Sequence, residues 1–212
     1  MIAAVNPLDA TSLLSSFGTI GIAVVLFAET GLLIGLFLPG DSLLFTAGLF
    51  AAAGSAAPVH LSLPAVIVAA AVGAILGAET GYVLGRQGGP LLLRGQDRPR
   101  LQAATDRAGQ FLDRYGHGKA IVLARFVPLV RTVLNPLAGI VAVPHVVFTR
   151  WQVLGGLLWT VGVTTAGYVL GRTIPSIDKY LLPIVALVVL VSLTPILVEA
   201  LRSRRARDGA QR

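Results

Sequence analysis

Four ionisable residues stand inside apolar stretches of this chain: Glu29, Asp41, Arg125 and Arg131. An ion in the hydrocarbon core of a bilayer costs roughly 2.5–3.5 kcal/mol on insertion scales. Four unpaired ions would therefore cost on the order of 10 kcal/mol, comparable to the whole stability of a domain. Their charges sum to zero, and the simplest relief is for the acids and bases to meet. Ion pairing for structure alone is one reading. Against it, buried pairs stabilise poorly compared with apolar replacements, and intramembrane ions are functional-site candidates by default. Two guanidiniums suit a phosphate, which accepts paired N–H bonds. A carboxylate in the same place can relay a proton. Arg125 and Arg131 are thus the candidate substrate-binding residues, and Glu29 and Asp41 the candidate proton-coupling ones. Glu29 is the better carrier, because Asp41 reads as an N-cap. Glu79 and Asn135 are accessory candidates; Glu79 shares a helix face with Arg86, seven residues on.

The elements that must hold these groups are membrane helices. Of 212 residues, 55% are hydrophobic and 13% charged, against roughly 25% charged in soluble domains. Mean hydropathy is +0.79. Charge-free runs cover residues 10–28, 42–78, 132–149, 151–171 and 180–198, and about 20 apolar residues span a bilayer. Asp9, with no Lys or Arg before it, argues against a cleaved signal peptide at residues 10–28. With no Cys, disulfides and thiolate chemistry are excluded. His60, His117 and His145 share no metal-ligand spacing, and neither a metal nor another cofactor is expected. The net charge of +7 comes in blocks beside apolar runs, which reads as topology rather than nucleic-acid binding.

Two apolar stretches are broken at their centres. Pro39-Gly40-Asp41-Ser42 interrupts the first; Arg125, Pro128, Arg131 and Asn135-Pro136 interrupt the second. A re-entrant hairpin tolerates such an irregular tip where protein or water surrounds it. In that reading Asp41 caps a return helix starting at Ser42, and Asn135 caps one starting at Pro136. The hexapeptide Gly-Tyr-Val-Leu-Gly-Arg occurs at 81–86 and again at 167–172. Phe37-Leu38-Pro39 answers Phe126-Val127-Pro128, and Ala47-Gly48 answers Ala138-Gly139. Three landmarks in one order point to duplication.

The expected fold is an all-α polytopic membrane protein, a single domain over 1–212. It has two inverted repeats, about 17–86 and 117–172, each a re-entrant helical hairpin followed by a transmembrane helix (63–85 and 151–171). A linker at about 87–116, read as a solvated or surface-lying helix, joins them. A C-terminal helix at about 180–198 and a basic tail at 199–212 follow. Thirteen of the 17 basic residues fall on residues 86–119, Arg150 and the tail, which places that side in the cytoplasm. The N-terminus would face outward, or inward if 10–28 spans fully. Arg86 and Arg172 read as snorkelling at helix ends. Trp151, Trp159 and Tyr180 read as interface anchors. Gly73, Gly77, Gly81 and Gly85 read as helix-packing positions.

The stretch Phe27-Ala28-Glu29-Thr30-Gly31, with Leu38-Pro39-Gly40-Asp41-Ser42-Leu43-Leu44-Phe45-Thr46-Ala47-Gly48, resembles the first signature of the DedA family, also called SNARE-associated or VTT-domain proteins. Tyr115-Gly116-His117-Gly118-Lys119, then Ala124-Arg125-Phe126-Val127-Pro128-Leu129-Val130-Arg131 and Ala138-Gly139, resembles its second; Phe148, Gly155 and Trp159 also fit. The resemblance covers about residues 20–172. It implies two opposed re-entrant hairpins in a bacterial inner (plasma) membrane, and lipid movement across it. Bacterial members recycle undecaprenyl phosphate or flip phospholipids, and some are tied to proton motive force. The acidic and arginine pairs of the family match Glu29, Asp41, Arg125 and Arg131. Asn135-Pro136 departs from it, since many relatives have an apolar residue before that proline.

The expected function is a flippase for undecaprenyl phosphate or a related anionic lipid, coupled to protons. Its partners are membrane lipids and protons, with no nucleic acid; the chain is compatible with a homo-oligomer. The alternatives are a proton-coupled ion exchanger or a phospholipid scramblase. No Gly-x-Ser-x-Gly elbow or His-Glu-x-x-His motif occurs, so an enzyme is not expected.

Overall fold

The computed structural model describes residues 10–32, 40–54, 57–93 and 99–173. The Pro39 turn residue, the helix expected at 180–198 and the basic tail lie outside them. Seven helices carry the described chain: α1 (Ala10–Gly31), α2 (Gly40–Ala53), α3 (Leu63–Leu93), α4 (Pro99–Tyr115), α5 (His117–Arg125), α6 (Pro128–Ile140) and α7 (His145–Thr173). Among the described residues, α3 and α7 are long and apolar enough to cross a membrane. Their outward faces carry Val68, Val72 and Leu76, and Leu154, Leu158 and Val169, exposed as a bilayer-facing surface requires.

The other apolar helices are short. Gly18 holds φ 54° and ψ −138° inside α1, a backbone setting open to glycine, and breaks the helix there. What continues is Gly18–Gly31, 14 residues and about 21 Å, short of a 30 Å hydrocarbon core. The 19-residue run at 10–28 is therefore not one straight span. α2 is equally short, and α5 and α6 are shorter still.

Glycine contacts fix the directions. Gly73 of α3 lies on the Ala23 backbone and Gly77 on Phe27, so α1 and α3 run the same way. Gly85 lies on Pro136 and Gly89 on Ile140, which aligns α6 with α3. Gly167 on Phe45 and Gly171 on Leu49 align α2 with α7; Gly118 on Trp151 and Gly155 on Val122 align α5 with α7. Ile75 meets Gly156 while Tyr82, further along α3, stacks on Phe148, so α3 and α7 are antiparallel. The order α1, α2, α3 is thus mirrored in direction by α5, α6, α7. The inner ends of the short helices stop against the middles of the long ones, at Gly77 and at Gly156 to Trp159.

Three expectations change. α6 starts at Pro128, not Pro136: Pro128 takes the first helical turn, where the missing N–H costs nothing, after an extended Val127. Pro136 sits inside the helix, and Asn135 is not a cap. α2 starts at Gly40, so Asp41 lies in its first turn rather than ahead of it. α3 continues two turns past residue 85.

Candidate functional site

Glu29 ends α1, Asp41 begins α2, Arg125 ends α5 and Arg131 lies in the first turn of α6. The four short helices thus bring all four groups to the middle of the bundle. The pairing is unequal. Arg131 donates through Nη2 to Glu29 Oε1 and through Nη1 to Asp41 Oδ1, the latter at 2.8 Å. Arg125 is 1% exposed, and its three guanidinium nitrogens have no hydrogen-bond partner among the described residues. The acids and bases meet as expected, as one arginine shared by two acids plus one arginine that bonds neither.

Trp159 organises both. Its indole N–H donates to Asp41 Oδ1 at 2.9 Å. The Arg131 guanidinium stands 4.5 Å from the ring centroid and that of Arg125 5.4 Å, within cation–π range. At 3% exposure it is no interface anchor. Its position at the centre of α7 was the available signal, since aromatic belts lie at span ends. Trp151, 38% exposed near the start of α7, fits an anchor. Two glycines make room: the Glu29 carboxylate fills the space a Gly40 side chain would take, and the Arg125 guanidinium packs on Gly156.

Asn135 supports the site from outside. Its amide donates to the Thr30 carbonyl at 2.8 Å and accepts from Gln152 at 3.0 Å, joining α6 to α1 and α7. Glu79 stands apart, bonded to His145 at 2.7 Å. Arg86 and Arg172, both exposed, bond the Tyr82 and Tyr168 hydroxyls one turn earlier. The basic pair with two acids can bind an anion at Arg125 and exchange a proton at a carboxylate.

The VTT domain family matches residues 38–169. Protein DedA of Escherichia coli is 37% identical over 188 residues, 88% of this chain and 84% of that protein. Inner membrane protein YqjA of Escherichia coli is 36% identical over 175 residues, 78% of this chain and 76% of that protein. An uncharacterized membrane protein of Mycobacterium tuberculosis is 42% identical over 191 residues, 90% of this chain and 82% of that one. No solved structure matches. The charged tips of the short helices lie within or beside the matched region, and this membrane protein belongs to the DedA family of VTT-domain proteins.

Proposed function

We propose that the chain is a lipid transporter that moves an anionic, phosphate-bearing lipid across the membrane, with undecaprenyl phosphate the first candidate, coupled to protons and without enzymatic chemistry. The observation that carries this is the open guanidinium of Arg125, buried beside an arginine already held by two carboxylates. A buried cation without a hydrogen-bond partner is costly unless an anion visits it. Arg125 receives the phosphate first, and Arg131 joins as its carboxylates let go.

Electroneutrality supplies the coupling. The quartet is neutral with all four groups charged. An added monoanion leaves one uncompensated charge in a low-dielectric site unless a proton comes with it. Glu29 is the carrier: it is buried and one of its oxygens has no partner, whereas Asp41 is held by Arg131 and Trp159. Mirrored helix directions support reading 17–86 and 117–172 as inverted repeats whose rocking alternates access. The four short helices, ending midway along α3 and α7, support the re-entrant hairpins. The clustered basic residues support a cytoplasmic C-terminus.

The test is transport of labelled polyprenyl phosphate and of phosphatidylethanolamine in vesicles holding wild type, Arg125→Ala or Arg131→Ala. The phosphate lipid should move only with wild type, and near-normal movement by Glu29→Gln across a pH gradient would count against the proton role. Equal movement of both lipids by all three proteins overturns the phosphate reading. Proton-linked ion flux without the phosphate lipid favours an exchanger instead.

A further inference from the structure

An open groove of about 320 Å³ runs between α4 and α6. Phe111, Val130, Val133, Leu134 and Leu137 line it, and its one charged wall residue is Arg107. Arg107 is exposed and has no ion-pair partner among the described residues. α4 is amphipathic: Ala108 and Leu112 are buried, while Asp106, Arg107 and Arg114 are exposed. Such helices lie in the headgroup region with basic side chains at the apolar edge. The groove uses a face of α6 turned about a third of a circle from Arg131. Val130 precedes Arg131 in the chain, and Phe126 and Val127, which follow Arg125, are also exposed. From Val130 to Leu137, α6 advances about 10 Å.

We infer that this groove is a loading subsite that holds the hydrocarbon chain of an anionic lipid, with the headgroup on Arg107, ahead of the buried arginines. The inference rests on the transport reading above. An apolar groove on a membrane protein faces lipid rather than water, so a chain is its natural filling. Arg107 selects the sign of the headgroup. The volume falls at the lower end of ligand sites, enough for part of one chain. A lipid seated there has its chain along α6 and only the headgroup left to travel inward.

The experiment is photolabelling of the full chain in phosphatidylcholine vesicles that contain phosphatidic acid with a diazirine in its chain, read by peptide mass spectrometry. Label should concentrate on residues 108–111 and 130–137. Arg107→Ala should lower it about fivefold, the effect of one interfacial basic side chain. Val133→Trp, which fills the groove, should lower it further, and Val130→Trp at the exposed rim should do likewise if the first variant folds poorly. Arg125→Ala should leave the labelling unchanged while transport stops. Labelling spread evenly over the exposed faces of α3 and α7, or unchanged by Arg107→Ala and both tryptophan variants, overturns the inference. So does absence of label from α6 because residues 180–198 cover it. Labelling is read at equilibrium, so it stands or falls separately from transport: specific labelling by a wild type that moves no lipid would sink the transport reading and keep the groove.

Discussion

Arg131 and Arg125 lean on the same Trp159 ring, yet one holds two carboxylates and the other none. Arg131 serves two carboxylates; Arg125, equally buried, has none. Neutrality is met by the cluster as a whole and not pair by pair. Coulomb attraction acts across several Å in a low dielectric, so Arg125 balances the surplus acid without touching it. Hydrogen bonds have no such reach, and the donors of Arg125 stay unspent. The two arginines thus divide the work: Arg131 locks the tips together, and Arg125 keeps its donors unbonded among the described residues.

Deleting each arginine is the strongest way to break that comparison. Arg131→Ala strands the buried Glu29 carboxylate beside the part-exposed Asp41 and should destabilise by about 3–5 kcal/mol, on the order of 10 °C in a chain of this size. Arg125→Ala removes a cation that bonds no carboxylate, and proton uptake by a neighbouring acid can restore neutrality, so it should lower the unfolding midpoint clearly less while abolishing transport. Thermal unfolding in detergent compares them. Equal losses would mean that Arg125 is paired after all.

The glycines sharpen it. Gly40→Ala puts a methyl where the Glu29 carboxylate lies and should cost about 1–3 kcal/mol by forcing the pair apart. Gly156→Ala meets the Arg125 guanidinium at ordinary contact, 3.5 Å, and should shift stability by less than about 0.5 kcal/mol. It narrows the space at the open arginine, so half-saturating lipid should rise without a change in unfolding. Trp159→Phe keeps the ring and loses the N–H to Asp41. About 1 kcal/mol of stability should go, with transport slowed but not lost; Trp159→Ala, which removes the shared face as well, should be worse on both measures.

The four charges were legible in the sequence because ions in apolar runs are rare and expensive. Composition also pointed to the helical membrane class. The distribution of bonds was not legible: four charges summing to zero are compatible with two pairs or with three-plus-one, and only distances decide. The second turn was misplaced because Asn135-Pro136 carries the chemistry of a cap and first turn. Pro128 carries half of it and wins because the chain breaks at Phe126 and Val127. Asn135 was then free to bridge Thr30 and Gln152, a role visible only once α1 and α7 flank it. Trp159 was misread because an indole in an apolar run looks the same whether it faces headgroups or arginines.

The repeated hexapeptide sets up the smallest and most local test. Both copies make the same bond, Arg86 to the Tyr82 hydroxyl at 2.9 Å and Arg172 to the Tyr168 hydroxyl at 3.3 Å. Only the first copy buries its tyrosine. Tyr82 also donates to the Val143 carbonyl at 2.6 Å and stacks on Phe148 with centroids 4.5 Å apart, tying α3 to the turn between α6 and α7. Tyr168 is half-buried, its bond exposed. Tyr82→Phe leaves a buried carbonyl unsatisfied and should cost about 1–2 kcal/mol, whereas Tyr168→Phe should cost nearly nothing. Unfolding midpoints of the two variants read the difference. If the second variant lost as much as the first, the exposed copy would be holding something outside the described residues.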